Sequence, residues 1–171
     1  YRQMQAVYIS LSGVSNISMT PSIPGVTGGT ANGSTTLTVI TDSPSGYTLT
    51  IESENDPAMN KGANSIADYN PGSSPSFSFS VNDGEAYLAY SPEGEDITSR
   101  YQDNGGDCND GGSLDTVDSC WDGLTTGGQT ISSATNPNHP NGATTTIKFK
   151  VGVGSGVNLD PGSYVATTTV T

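Results

Sequence analysis

Six oxygen-bearing side chains crowd into one short stretch of this chain: Asp103, Asp107, Asn109, Asp110, Asp115 and Asp118, with Gly105, Gly106, Gly111 and Gly112 among them. Hard cations take carboxylate and amide oxygens from pliable loops, so Asp103, Asp107, Asn109 and Asp110 form a candidate calcium site. The EF-hand spacing is not met. Gly105 stands at its third position, Cys108 at the sixth where glycine is required, and Leu114 at the twelfth in place of a bidentate glutamate. The alternative reading is a solvated acidic loop. Cys108 and Cys120 lie in the same stretch, too far apart for a Cys-x-x-Cys redox or zinc motif and close enough to pair. A disulfide between them is expected, worth roughly 3 kcal/mol in the chain-entropy model and pointing to an oxidising, extracellular setting. Trp121, directly after Cys120, would either stack on a sugar ring or cover the disulfide.

Catalysis needs a nucleophile with its base, two carboxylates in unlike environments, or a metal. The single histidine, His139, sits in the Pro-bounded loop 137–141 and reads as a surface residue. Neither a Gly-x-Ser-x-Gly elbow nor a phosphate-binding loop occurs, so no enzyme is expected. Lys148 and Lys150 could form isopeptide bonds to Asn or Asp, but they alternate with Ile147 and Phe149 and are expected to face solvent.

The elements that must position these residues are strands. A chain of 171 residues suits one domain. Leu, Ile, Val and Phe make up about 18% of it, just under the roughly 20% at which high net charge signals disorder. Against disorder, only 13% of residues are charged, and Val, Ile and Thr supply about a quarter of the chain. Helix formers are few, while Gly (22), Pro (10), Ser, Thr and Asn abound. The expected fold is all-β, a single β-sandwich, immunoglobulin-like in architecture, of seven or eight strands. A long Gly/Asp-rich insertion is expected over residues 92–141, and an N-terminal strand (residues 1–13) precedes the sandwich domain (residues 14–171).

Period-two alternation places strands at residues 5–12, 14–19, 35–42, 47–52, 76–81, 86–91, 144–153 and 163–171, with weaker signals at 124–126 and 129–133. Residues 43–46 (SPSG) read as the turn of a hairpin joining 35–42 to 47–52, and Asn82-Asp83-Gly84 as the turn of a second, joining 76–81 to 86–91. Residues 21–33 read as a loop or an edge crossing and 54–74 as polar and irregular, while 92–141, on which the disorder signal settles, reads as a decorated functional insertion or as short strands without firm periodicity.

With 5 basic against 17 acidic residues the formal charge is -12, so nucleic acid is not an expected partner. No run approaches 18 apolar residues and no Lys/Arg cluster flanks one, so membrane insertion of the mature chain is not expected. The start at Tyr1, without a charged-then-apolar leader, is expected of a chain whose signal peptide has been removed, or of a trimmed one. Asn16-Ile17-Ser18 and Asn32-Gly33-Ser34 make Asn16 and Asn32 candidate glycosylation sites. In the N-terminal strand, Val7, Ile9 and Leu11 share one face and Gly13 follows as a hinge. These three are candidate subunit–subunit contacts, because a strand of twelve residues reaches about 40 Å and can complete a neighbour's sheet. An ordinary first strand paired in its own domain is the alternative.

The closing segment 159–171 (LDPGSYVATTTVT) resembles the last strand of secreted pilin-like β-sandwiches, including spore-coat-U-type fimbrial subunits. Residues 41–49 (TDSPSGYTL) and 104–123, running to Cys-Trp-Asp-Gly, are similar to segments of Thr-rich bacterial surface proteins. The resemblance implies a surface-exposed structural protein that polymerises. The expectation is therefore a subunit of an extracellular filament or pilus-like polymer of itself, assembled by strand complementation between subunits. The alternative is a monomeric cell-surface adhesin that binds glycans or a host protein through the 103–121 loop.

Overall fold

Strand-forming residues that alternate with Ser, Thr and Lys can bury one face and wet the other, and the chain uses them that way in two sheets. A computed structural model describes residues 7–24 and 27–171. Among these, ten strands form: β1 (Ile9–Ser12), β2 (Gly29–Thr41), β3 (Tyr47–Ser53), β4 (Met59–Lys61), β5 (Asn64–Asp68), β6 (Ala86–Gly94), β7 (Gln129–Ala134), β8 (Ala143–Val153), β9 (Val165–Ala166) and β10 (Thr168–Val170). A seven-stranded sheet runs β1-β2-β8-β6-β5-β4-β9 and a three-stranded sheet runs β10-β3-β7. Their inner faces meet in one core, to which Leu37, Val39, Leu49, Ile51, Leu88, Tyr90, Ile131 and Ile147 contribute. The all-β sandwich expected from composition is the fold found, with ten strands among the described residues where seven or eight are expected, because short strands such as β4, β5 and β9 are too brief to show alternation.

Strand β8 is its axis. Thr145, Ile147, Phe149, Val151 and Val153 are buried on one face, and the strand pairs antiparallel with β2 on one side and β6 on the other. All neighbouring strands are antiparallel except β5 and β6, which run parallel over two positions.

Several expectations are corrected. Residues 35–42 and 47–52 do not form a hairpin: the first lies in β2 and the second in β3, in opposite sheets. Both bury alternate residues, so the 43–46 turn can carry the chain across the core as easily as back along one sheet. Residues 76–81 form no strand and no hairpin with β6; Ser76 instead pairs with Trp121 across a single bridge. Residues 14–19 form no strand, and their apolar Ile17 and Met19 fill the space beside Gly33. The 21–33 loop ends early, because β2 begins at Gly29. The 54–74 loop contains the short strands β4 and β5. Only the second of the weak signals, 129–133, is a strand, as β7. The closing segment splits, β9 joining the larger sheet and β10 the smaller. Residues 5 and 6 of the expected first strand lie outside the described residues.

The largest correction concerns residues 92–141. This stretch carries the disorder signal, yet it supplies Trp121, Tyr101, Asp103 and Ile131, which rank among the most deeply buried side chains. It packs partly into the shared core and partly over the outer face of the larger sheet. There Gly152 of β8 lacks a Cβ, and a methyl built on it would come 2.8 Å from Phe79 Cε1. Trp121 stands 6.0 Å from the Phe79 ring, and Ala89 of β6 is fully buried. The larger sheet is thus covered on both sides near β6 and β8.

Candidate functional site

The expected disulfide is formed: Cys108 and Cys120 are bonded and both are buried. The bond closes a loop whose other anchor is Asp103. That carboxylate is fully buried. Its Oδ1 accepts from the Gly105 amide at 2.8 Å and from the Thr116 hydroxyl at 2.9 Å, and its Oδ2 accepts from the Thr116 amide at 2.9 Å. Burial pushes its pKa up, but these three hydrogen bonds outweigh it and hold the carboxyl below the ordinary carboxylate range.

The four candidate calcium ligands therefore do not converge as free groups. Asp103 faces inward and spends its oxygens on the loop itself, while Asp107, Asn109 and Asp110 are exposed. Asp110 Oδ2 accepts from Asn104 Nδ2 at 2.6 Å, and Asn104 Oδ1 in turn accepts from the amides of Gly106 and Asp107. Among the described residues, no three His, Cys, Asp or Glu side chains are placed to hold a metal ion.

Trp121 is 1% exposed, so its ring offers no face to a sugar. Its Nε1 donates to the Asp118 carbonyl at 2.9 Å, and Lys150 Nζ lies 4.2 Å from the ring centroid. The lysines expected to face solvent instead face this covering loop. Lys148 Nζ lies 2.9 Å from Glu93 Oε1 and 3.1 Å from Asp118 Oδ1. Burial pulls the Lys148 pKa down, but the two carboxylates prevail and keep it above the ordinary lysine value. The ammonium is therefore a charged clamp between loop and sheet, and a protonated amine is no nucleophile.

A polar chain through Arg100, Asp122, Tyr101 and Tyr90 was not legible in the sequence. Arg100 Nε and Nη2 both reach Asp122 Oδ2 at 2.8 Å, and the Tyr101 hydroxyl donates to the same oxygen at 3.3 Å. The Tyr90 and Tyr101 hydroxyls are hydrogen-bonded to each other. Burial pushes both phenols well above their ordinary pKa, so they act as neutral hydrogen-bonding groups. The only signal was a lone Arg in an acidic stretch. His139 is exposed, with its ring edge-on to Tyr8 at 6.3 Å. Asn16 and Asn32 are both exposed, Asn32 in mid-strand with its backbone paired to Thr20.

The N-terminal strand ends the larger sheet. It pairs with β2 in the register Ile9↔Thr41 and Leu11↔Val39, so Ile9 and Leu11 point to the same face as the buried Val39 and Thr41. The expected common face is therefore the core face. Leu11 packs against the core, but Ile9 is 60% and Val7 63% exposed. Ile9 is thus exposed although its cross-strand neighbour Thr41 is fully buried.

Two open clefts flank the covering loop. One, of about 580 Å³, lies between residues 74–78 and 106–110 and is lined by serine hydroxyls with Asp107 and Asp110. The other, of about 570 Å³, has Asn32, Ser34, Lys148 and Lys150 among its lining. Fold and surface together define an all-β sandwich braced by one disulfide, with an end strand whose Leu11 packs against the core and whose Ile9 is exposed. Comparison with protein-family models, curated protein sequences and solved structures gives no match.

Proposed function

We propose that this protein is a structural subunit of an extracellular filament or surface polymer, whose copies join through the N-terminal edge strand. The observation that carries the reading is the exposed apolar surface at β1, the end strand of the larger sheet among the described residues: Ile9 is 60% exposed although it faces the core side of its sheet, and Val7, just before the strand, is 63% exposed. A strand at the end of a sheet offers unpaired main-chain groups, and apolar side chains beside them give a second copy both hydrogen bonds and area to bury. A disulfide is compatible with an oxidising, extracellular location, and the Thr-rich closing segment resembles that of pilin-like subunits. The alternative of a glycan-binding module has less support, since Trp121 is buried and the 103–121 loop spends Asp103 and Asn104 on its own backbone.

Negative-stain microscopy and light scattering of the purified protein, beside the double variant Val7→Lys/Ile9→Lys, test this reading. Fibres or a concentration-dependent ladder of oligomers are expected for the natural sequence. Monomers with an unchanged melting temperature are expected for the variant. A natural protein that stays monodisperse and monomeric at high concentration, or a variant that assembles equally well, would refute the proposal.

A further inference from the structure

Within the larger sheet the outer third joins the rest through one short strand pairing, while Ala58, Met59 and Ile66 pack into the core. Strand β5 meets β6 at two positions only, Ala67↔Tyr87 and Asp68↔Leu88, followed by one hydrogen bond from the Tyr69 amide to the Leu88 carbonyl at 2.8 Å. Everything beyond it in that sheet, the β4–β5 hairpin and strand β9 on its far side, is attached in sequence through Met59↔Ile66 and Met59↔Ala166. Asp68 sits at this joint. Its Oδ2 accepts from the Ala58 amide at 2.9 Å, tying the start of β4 to the end of β5. Its Oδ1 is buried, and no donor among the described residues reaches it.

We propose that Asp68 is a protonation-dependent latch, holding the β4–β5 hairpin and β9 firmly on the sheet when its carboxyl is neutral and loosening them when it ionises. An ionised carboxylate wants several donors, and this one has a single amide. Among the described residues, the groups around it supply no compensating charge. On the segment before β4, Asp56 adds negative charge. On β4, Lys61 is engaged with the Pro161 carbonyl and the Tyr164 ring. Tyr69 and Tyr87 at the β5 and β6 side pack their rings against one another, and Glu93 at the far end of β6 is paired with Lys148. Strand β9 carries no ionisable side chain. Burial, with a smaller push from Asp56 and an opposing pull from the Ala58 amide, raises the Asp68 pKa to about 6. The sign follows: a carboxyl whose folded pKa exceeds its unfolded one stabilises below the unfolded value, and that stability is lost as pH rises through about 6.

Hydrogen–deuterium exchange of the intact protein at about pH 5 and about pH 7.5, corrected for intrinsic exchange, reads the latch through amides 59–68 against those of β8. Local opening should be more favourable at the higher pH by up to about tenfold, a ceiling set by a folded value of about 6 against an ordinary one near 3.9. Asp68→Asn should keep the acid-state protection at both pH values, and Asp56→Asn should shrink the difference. Equal protection of the natural protein at both pH values, or a pH difference that survives in Asp68→Asn, overturns the proposal. If Asp68→Asn does not fold, carboxyl carbon NMR on the natural protein decides: a midpoint near 6 supports the latch, and one near 4 overturns it.

Discussion

Replacing Asp103 by asparagine is the sharpest probe of how the loop between the cysteines is held. The substitution keeps shape and one oxygen, but puts an NH2 where a carboxylate oxygen now receives the Thr116 amide at 2.9 Å. Two donors then face each other in a site with no solvent exposure. The remaining bonds, from Gly105 and the Thr116 hydroxyl at 2.8 and 2.9 Å, lose their charge assistance. Leaving a buried donor unpaired costs about 1–3 kcal/mol, and weakening two charge-assisted bonds adds to it, so the expected loss is about 2–4 kcal/mol. With a urea m-value of about 2 kcal/mol/M, the unfolding midpoint should fall by roughly 1–2 M. The loss should also depend on pH. Because the folded carboxyl is held below its ordinary range, its contribution is present at neutral pH and fades as pH falls below about 4 through the folded value. The two proteins should therefore converge in acid. A variant within about 0.5 kcal/mol of the natural protein at pH 7 would show that the carboxylate does not organise the loop.

Reduction of the disulfide, or Cys108→Ser with Cys120→Ser, should cost about 3 kcal/mol for a separation of 12 residues. It should also admit acrylamide to Trp121, now 1% exposed; unchanged quenching would mean that the loop covers the indole without its crosslink. Gly33→Ala should destabilise by about 1–3 kcal/mol, because the new methyl meets Ile17 Cγ2 and comes 2.9 Å from Met19 Sδ. Gly106→Ala, with its nearest neighbour at 3.8 Å, should leave the melting temperature within error. Equal melting temperatures for both alanine variants would show that residues 17–19 do not pack where they are placed.

Alternation was a reliable guide to which residues share a face. In β8, Ile147, Phe149, Val151 and Val153 all turn inward as the pattern requires. In β1, Ile9 and Leu11 face the core side together. The pattern is silent on partners. The SPSG turn is equally compatible with a hairpin and a crossover, and only the packing of Tyr47, Leu49 and Ile51 opposite Leu37 and Val39 selects the crossover. It is silent, too, on which side chains of one face end up covered: Leu11 packs against the core, while Ile9 on the same face is 60% exposed.

The candidate sites divide the same way. The cysteine pair was legible, because two cysteines in one polar loop have few alternatives. The acidic cluster was legible as a cluster, but not in its roles. One of its members, Asp103, is a buried anchor, Asp107 and Asp110 are solvated, and Asp118 pairs with Lys148. Identical side chains take different roles from backbone donors elsewhere in the fold, Thr116 for Asp103 and, 21 residues away, Gly94 for Asp115.

Composition and period-two patterning determined the all-β class and the main long strands, since these follow from residue-by-residue preferences and from burying one face. Tertiary structure alone decided that residues 92–141 are packed. Tyr101, Trp121 and Ile131 are buried against distant parts of the chain, and such contacts leave no repeat in the local sequence. It also decided the fate of the charges: Lys148, Asp103 and Asp68 each depend on neighbours brought from elsewhere in the fold. A side chain's polarity is a local property, but its burial and its partners are set by the whole chain.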